Sequence, residues 1–233
     1  MNRIIFPTDF SHETENALKY AKFIAKETDS ELILVNAFDL DLLLSSFPEE
    51  ANWSFKVKNQ ESKKKLKELK EEIQSDDNYK DLNINVFAAF GDAITGIEDV
   101  AKEFETDLIV MGTKGLSEIK DFFTDSNAFN VIERVECPVL IIPEDFDYTL
   151  TESIMFATDY THTPSNHLSI LKDIAKGIGA EIKIVHVSAH PERVPESDAV
   201  EGLRQEHFFG EQVEHKFDAV RLNKLGERNW IRR

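Results

Sequence analysis

The fold is decided by residues 4–38, which read IIFPTDFSHETENALKYAKFIAKETDSELILVNAF. A second stretch, residues 154–188, reads IMFATDYTHTPSNHLSILKDIAKGIGAEIKIVHVS and aligns with the first without a gap, at a constant offset of 150. Of the 35 aligned positions, 13 are identical. Such self-similarity indicates that one structural unit occurs twice in the chain.

Each copy begins with an apolar run, continues through a polar turn into apolar residues at helical spacing, and ends in a second apolar run. This pattern predicts a strand, a helix and a strand. Ser11 is the expected N-cap of the first helix, and Thr163 followed by Pro164 is expected to begin the second. Strands joined by a crossover helix are parallel, so each copy predicts part of a parallel sheet.

The first copy is followed by enough sequence to complete a sheet. An irregular stretch that contains Pro48 and Trp53 is expected first, and helices then alternate with strands. The expected ranges are a helix at 62–74, a strand at 84–89, a helix at 94–104, a strand at 108–112, a helix at 126–135 and a strand at 139–142. Residues 1–145 therefore predict a complete α/β domain, an open doubly wound sheet of five parallel strands.

Residues 151–233 predict an incomplete second copy of this domain. A helix near 199–209 and a strand near 215–220 are expected after the repeated unit, with no sequence left for the remaining elements. The ending RLNKLGERNWIRR is basic within an otherwise acidic chain. Two interpretations of it stay open: a truncated or frameshifted terminus, or a basic tail that binds an anion or an acidic partner.

Charge and composition limit the function classes. The chain has 44 Asp and Glu against 27 Lys and Arg, a formal net charge of -17, which repels nucleic acids and anionic membranes. No apolar run approaches the length of a membrane span and no signal peptide is evident, so a cytoplasmic location is expected. The single cysteine, Cys137, lies in an apolar run and is expected to be a buried structural thiol.

Polar turns follow two of the predicted strands. Pro7, Thr8 and Asp9 follow the first strand, and Gly112 and Gly115 lie in the turn after the fourth. Ligands of open parallel sheets bind beyond the carboxyl ends of the strands, and glycines let backbone N–H groups approach phosphate oxygens. An Asp after a strand can instead serve only to form the turn. These residues indicate a candidate phosphate-bearing ligand site.

The segments IIFPTDFSHETENALKYA, DLIVMGTKGLS and NVIERVECPVLIIP together resemble the start, the nucleotide loop and the final strand of universal stress proteins. The resemblance implies an adenine-nucleotide α-hydrolase-like fold with strand order 3-2-1-4-5, in a tandem member of the family. It also implies that ATP binds, with Mg2+ or Mn2+ accompanying it. The nucleotide-binding residues that it implies are Pro7, Thr8, Asp9, Ala37, Met111, Gly112, Gly115, Asp125, Ser126 and Asn127.

One position departs from the family pattern, which has a third glycine nine residues after the Gly112–Gly115 pair. Here that position is Asp125, which places a negative charge beside the expected phosphates and can itself cap the helix that follows. Lys114 or a divalent ion offsets part of this charge. Three functions stay open: a nucleotide-binding regulator of the stress response, a dimeric stress scaffold that has lost ATP binding, and a slow ATPase.

Catalysis has little support in the sequence. The chain contains no Walker A motif and no Gly-x-Ser-x-Gly elbow, so no catalytic residue and no metal ligand is predicted. The resemblance further implies that the last strand of the first domain, Val139–Ile142, pairs with its equivalent in a second chain to form a homodimer. The alternative is a monomer in which the rest of the chain covers this strand.

Overall fold

A computed structural model describes residues 1–40, 48–113, 127–143, 151–157 and 165–185. The strands are β1 (Arg3–Pro7), β2 (Glu31–Phe38), β3 (Ile84–Phe90), β4 (Leu108–Gly112), β5 (Val139–Ile142), β6 (Ser153–Ala157) and β7 (Glu181–Val185). The helices are α1 (Glu15–Glu27), α2 (Pro48–Ser75), α3 (Ala93–Glu103), α4 (Asn127–Arg134) and α5 (Ser165–Ile178), and a 3-10 turn (His12–Thr14) precedes α1.

The first five strands form one parallel sheet in the order β3-β2-β1-β4-β5. Strand β1 lies at the centre, with Ile4 opposite Leu32 on one side and opposite Leu108 on the other. The strands are apolar on both faces because helices cover both, as is usual for parallel sheets. The predicted five-stranded α/β fold with order 3-2-1-4-5 is confirmed.

Two apolar layers hold the sheet between its helices. Ile4 and Phe6 face the layer that contains residues of α1 and α2, whereas Ile5 faces the layer that contains residues of α3 and α4. All three side chains are almost completely buried. The alternation follows from the two-residue period of a strand, which sends successive side chains to opposite faces.

Helix α2 begins earlier than the sequence predicted. The stretch around Pro48 and Trp53 was expected to be irregular, but the helix starts at Pro48 and continues through Ser75. Proline is tolerated at the first helical position, and Glu49 and Glu50 favour the positive end of the helix dipole. Phe55 packs inward, but Lys58 and Ser62 interrupt the apolar stripe and Trp53 is 70% exposed, so the apolar spacing did not indicate a helix there.

Ser11 does not cap α1. It occupies the N-cap position of the 3-10 turn and its side chain makes no capping bond, while Thr14 stands at the start of α1. The hydroxyl of Ser11 instead donates to Asp9 Oδ1 at 2.5 Å. The predicted capping role is therefore wrong, because a nearer carboxylate takes the hydroxyl.

The repeated stretch forms a second β-α-β unit, made of β6, α5 and β7. Strands β6 and β7 are parallel, with Ser153 opposite Glu181, which reproduces the pairing of Arg3 with Glu31 at the offset of 150. The predicted Thr163–Pro164 helix start, the helix near 199–209, the strand near 215–220 and the basic ending lie outside the described residues.

Helix α5 attaches this second unit to the first. Ile170 is 7% exposed and belongs to the same apolar layer as α1, and the N-terminal ammonium of Met1 lies 3.2 Å from Asp173 Oδ2. A Cβ placed on Gly177 would lie 3.1 Å from Cβ of Glu27, its counterpart in the repeat. The two repeated helices are therefore in close contact at equivalent positions, Glu27 and Gly177.

Candidate functional site

The carboxyl ends of β1 and β4 lie side by side at the centre of the sheet. The chain leaves β1 toward α1 on one face of the sheet, and it returns after β4 to α4 on the other face. This divergence makes a crevice at the strand ends, the usual ligand position in open α/β sheets. The structure therefore brings together the ends of the two strands that precede the turns marked in the sequence.

Thr8 stabilises the turn after β1 through its amide and its hydroxyl group. It is buried, its amide donates to Val35 O at 2.8 Å, and its hydroxyl accepts from the amide of Phe10 at 2.9 Å. Phe10 has a φ of 64°, a left-handed conformation that non-glycine residues seldom adopt. Pro7 is buried beside Thr8. These two residues shape the turn after β1, and the Thr8 hydroxyl stabilises its unfavourable backbone conformation.

Asn36 and Ser62 support the same turn and were not predicted from the sequence. Asn36 Nδ2 donates to the carbonyl oxygen of Thr8 at 2.8 Å, and its Oδ1 accepts from the Ser62 hydroxyl at 2.8 Å. Ser62 lies on α2 and is buried. The chain of bonds ties α2 through β2 to the end of β1. The only feature of the sequence that could have indicated this support is a serine, Ser62, on the inward side of α2.

Asp9 is exposed and presents a carboxylate at the crevice. Its Oδ1 accepts hydrogen bonds from the amide and the hydroxyl of Ser11, at 2.9 and 2.5 Å. Among the described residues, no donor reaches its Oδ2. The side chain thus forms the turn, as one interpretation expected, while binding of a ligand through Oδ2 stays a prediction.

Ala37, a predicted nucleotide-binding residue, packs against helix α3. A Cβ on Gly96 would lie 3.1 Å from the Cβ atoms of both Ala37 and Ala89, so α3 needs glycine to approach the sheet this closely. Helix α3 is capped by Asp92, whose carboxylate accepts from the amides of Ile94 and Thr95. Those amides are therefore occupied and do not offer an anion site.

Hydrogen bonds from the amides of α3 hold the pKa of Asp92 below its usual value, the bond from Thr95 being the largest cause. The carboxylate is consequently charged at neutral pH, and it places negative charge at the start of α3. Since anions prefer uncapped helix starts, the start of α3 offers phosphates no binding advantage.

The end of β4 is built partly from described residues. Met111 and Gly112 are buried, and the amide of Thr113 donates to Ile142 O at 3.3 Å. Gly115, Asp125 and Ser126 lie outside the described residues, as does Lys114. Asn127 begins α4, although its side chain is outside the described set. The geometry of the glycine loop therefore stays a prediction.

Cys137 is partly buried in the apolar layer of α3 and α4. Burial raises the pKa of its thiol to about 11, so the thiolate is scarce at neutral pH. The described residues contain no group of three or more His, Cys, Asp or Glu side chains that could hold a metal ion. Within the same part of the chain, no helix is both long and apolar enough to cross a membrane.

Comparisons with known proteins cover the same part of the chain. The model of the universal stress protein family matches residues 1–143. The universal stress protein MJ0531 of Methanocaldococcus jannaschii is 32% identical over 145 residues, which are 60% of this chain and 81% of that protein. The universal stress protein MJ0577 of the same organism is 30% identical over 155 residues, 60% of this chain and 93% of that protein.

A solved structure agrees in fold over a longer range. A universal stress protein from Archaeoglobus fulgidus aligns with a TM-score of 0.56 at 21% sequence identity, over 87% of this chain and 71% of that one. At this identity the likeness concerns the fold alone. Because the family model matches more than half of the sequence, the chain belongs to the universal stress protein family.

Proposed function

We propose that this protein is a nucleotide-binding regulator that performs no catalysis, and that an adenine nucleotide binds at the crevice between the ends of β1 and β4. The observation that carries the proposal is Asp9, which is exposed there with an acceptor oxygen unused within the described residues. A carboxylate accepts hydrogen bonds from ribose hydroxyls or from the adenine amino group. The rigid turn around Thr8 fixes its position.

The phosphates would lie at the Gly112–Gly115 turn and the start of α4. Helix α3 is unsuited to them because Asp92 occupies its first amides. Mg2+ or Mn2+ would arrive with the phosphates, since the described residues supply no metal-binding cluster of their own. Bound ATP would add negative charge to the surface of the protein. We propose that this change of surface charge is the regulatory signal.

The sharpest test compares the two copies of the repeat. Asp9→Asn should weaken ATP binding about tenfold, a loss of about 1.4 kcal/mol, whereas Asp159→Asn at the equivalent position should leave it unchanged. Titration calorimetry on the full chain measures both. Equal losses in the two variants would contradict a site confined to the first copy, and no binding by the unchanged protein would reject the nucleotide proposal.

The second candidate is a stress scaffold that has lost ATP, and Asp125 is the residue that favours it. Replacing Asp125 by Gly should tighten ATP binding at least tenfold, because about 1.4 to 4 kcal/mol of repulsion is relieved. Equal or weaker binding in that variant would count against the electrostatic argument. ATP turnover above that of a Gly112→Val variant would support the third function, a slow ATPase.

We also propose a homodimer through β5. Within the described residues β5 pairs only with β4, so its outer edge has unpaired backbone groups, and its first three residues are only half-buried. Ile141→Lys should convert a dimer to a monomer in light scattering, while Ile132→Lys on the exposed side of α4 serves as a control for added charge. A monomeric unchanged protein at tens of micromolar would remove this proposal.

The second β-α-β unit supports the proposal that residues 151–233 are an incomplete second domain of a tandem protein. Its strand register repeats that of the first unit at the offset of 150. We also propose that the protein is located in the cytoplasm, as expected from the sequence. Fractionation of cells that express the full chain tests the location.

A further inference from the structure

Helix α2 carries a row of basic and amide side chains in a strongly acidic chain. Positions spaced by three or four residues lie on one side of a helix, and between Asn52 and Gln74 one such row has no acidic member. The row consists of Asn52, Lys56, Asn59, Lys63, Lys67, Lys70 and Gln74. Glu49 precedes the row and Glu71 borders it, four residues after Lys67, whereas the described ion pair within α2 joins Lys64 to Glu68, outside the row.

The row lies beside β3, the outer strand of the sheet. Lys70 Nζ donates to Ile84 O at 2.7 Å, which places this side of α2 over the open edge. Lys58 and Lys65 leave the helix on the other side, where they contact Asp39 O and the ring of Phe10. Because Lys56, Lys63 and Lys67 are exposed, the row extends along the edge as a strip of positive charge.

The backbone of β3 has unpaired groups along the same edge. Leu32 N donates to Asn83 O and Gly91 N donates to Phe38 O, both at 2.9 Å, so the odd-numbered residues between them bond β2. The even-numbered residues therefore point their N–H and C=O groups outward. Two of these groups are occupied, since Ile84 O accepts from Lys70 and Val86 N donates to the Asn85 side chain.

Ala88 and Phe90 keep their outward groups open within the described residues. The Phe90 ring is also 53% exposed, and it lies 5.3 Å from the ring of Phe55, on the α2 side of the sheet. A strand edge, an exposed aromatic ring and a strip of lysines thus share one surface. Exposed strand edges attract further strands, and side chains beside the edge select which strand is accepted.

We propose that this surface, formed by β3 and the lysine row, binds an extended acidic segment of a partner protein, which adds to β3 as a further strand. A second copy of this chain is a poor occupant because two β3 edges paired about a two-fold axis would bring two lysine rows together. Nucleic acid is disfavoured because the net charge of -17 repels a long polyanion.

The spacing of the row suits such a segment. Lys63 and Lys67 are four residues apart, about 6 Å along the helix. Alternate residues of a strand are about 6.6 Å apart, so carboxylates two residues apart in the segment match the spacing of Lys63 and Lys67. The segment should carry an apolar side chain at the end that meets Phe90, since that ring otherwise stays exposed to water.

The test uses the full chain and a fluorescein-labelled peptide of about ten residues, with Glu and Thr alternating and Leu at one end. Fluorescence anisotropy should show binding that weakens as salt is raised, because the contact is partly ionic. Lys63→Glu with Lys67→Glu should weaken it at least about tenfold. Lys64→Glu with Lys65→Glu, an equal charge change outside the row, should alter binding by less than about twofold.

Two further probes separate strand addition from simple charge attraction. A peptide N-methylated at alternate residues keeps its charges but loses the donors of one edge, and it should bind at least about tenfold more weakly. The proposal fails if the acidic peptide does not bind, if the double reversal has no effect, or if the methylated peptide binds equally. Tighter binding of a single-stranded oligonucleotide of equal charge would also overturn it, in favour of nucleic acid.

Discussion

The two β-α-β units pair their strands identically and bury them very differently. Ile5 in β1 is 0% exposed, whereas its counterpart in β6, Met155, is 70% exposed. Both belong to the face of the strand that points away from the helix of the repeat. The comparison teaches that the repeated sequence encodes the local unit and its register, while burial of the second face depends on elements that follow the unit.

In the first unit, β4 extends the sheet and residues of α3 and α4 cover the second face. Ile33 in β2 is completely buried there, but its counterpart in β7 is Lys183, which is exposed and lies 3.8 Å from Glu181. A lysine at a buried position would be costly. The second unit therefore has a surface compatible with water where the first has a core.

The largest effect expected from this difference concerns Ile5 and Met155. Ile5→Ala should reduce the free energy of unfolding by about 2 to 5 kcal/mol, because it leaves a cavity between the sheet and α3. Met155→Ala should change it by less than about 0.5 kcal/mol. Urea unfolding followed by circular dichroism measures both. A comparable loss in Met155→Ala would show that the second face is covered in solution.

The sequence predicted the strands well because each is a short apolar run bounded by polar turns. β4 and β5 have the predicted ends, and β3 is one residue longer than expected. The start of α2 was missed because, although Phe55 packs against Phe38, the polar residues Lys58 and Ser62 interrupt the apolar stripe on the inward side of the helix. The spacing of apolar residues indicates a helix only where one face of that helix is buried, and it gives no indication where the helix is surrounded by water.

The candidate site was only partly predictable for a different reason. Asp9 was found because it follows an apolar strand, but the bonds from Asn36 and Ser62 join residues that are 26 or more positions from their partners. Such pairs depend on the strand order and on the position of α2. The left-handed Phe10 is likewise invisible in the sequence, because local preference opposes it.

A smaller effect is expected at the cap of α3, an element without a described counterpart in the second unit. Asp92→Ala should cost about 1 kcal/mol, because the amides of Ile94 and Thr95 lose their acceptor. The folded-state pKa of Asp92 is lowered, so its contribution is present at neutral pH and is lost as the pH falls below the ordinary value of 3.8.

Thermal unfolding at pH 7 and at about pH 3 measures the Asp92 contribution. The difference between the unchanged protein and Asp92→Ala should shrink at the lower pH. Asp99→Ala, an exposed site in the same helix, is the control and should show no comparable shrinkage. A difference that is constant with pH would mean that the carboxylate charge does not act at the helix start.

The smallest effect is expected at the ion pair that joins the two units. Asp173→Asn removes the negative partner of the Met1 ammonium, and because Asp173 is more than one third exposed, the loss should be below about 1 kcal/mol. Ile170 still packs against the layer of α1, so the second unit should remain attached. Hydrogen exchange should therefore be modestly faster in α5 and unchanged in β3, with the exposed Asp77→Asn as the matched control. Exchange that becomes fast throughout β6, α5 and β7 would show that the ion pair, rather than apolar packing, holds the second unit in place.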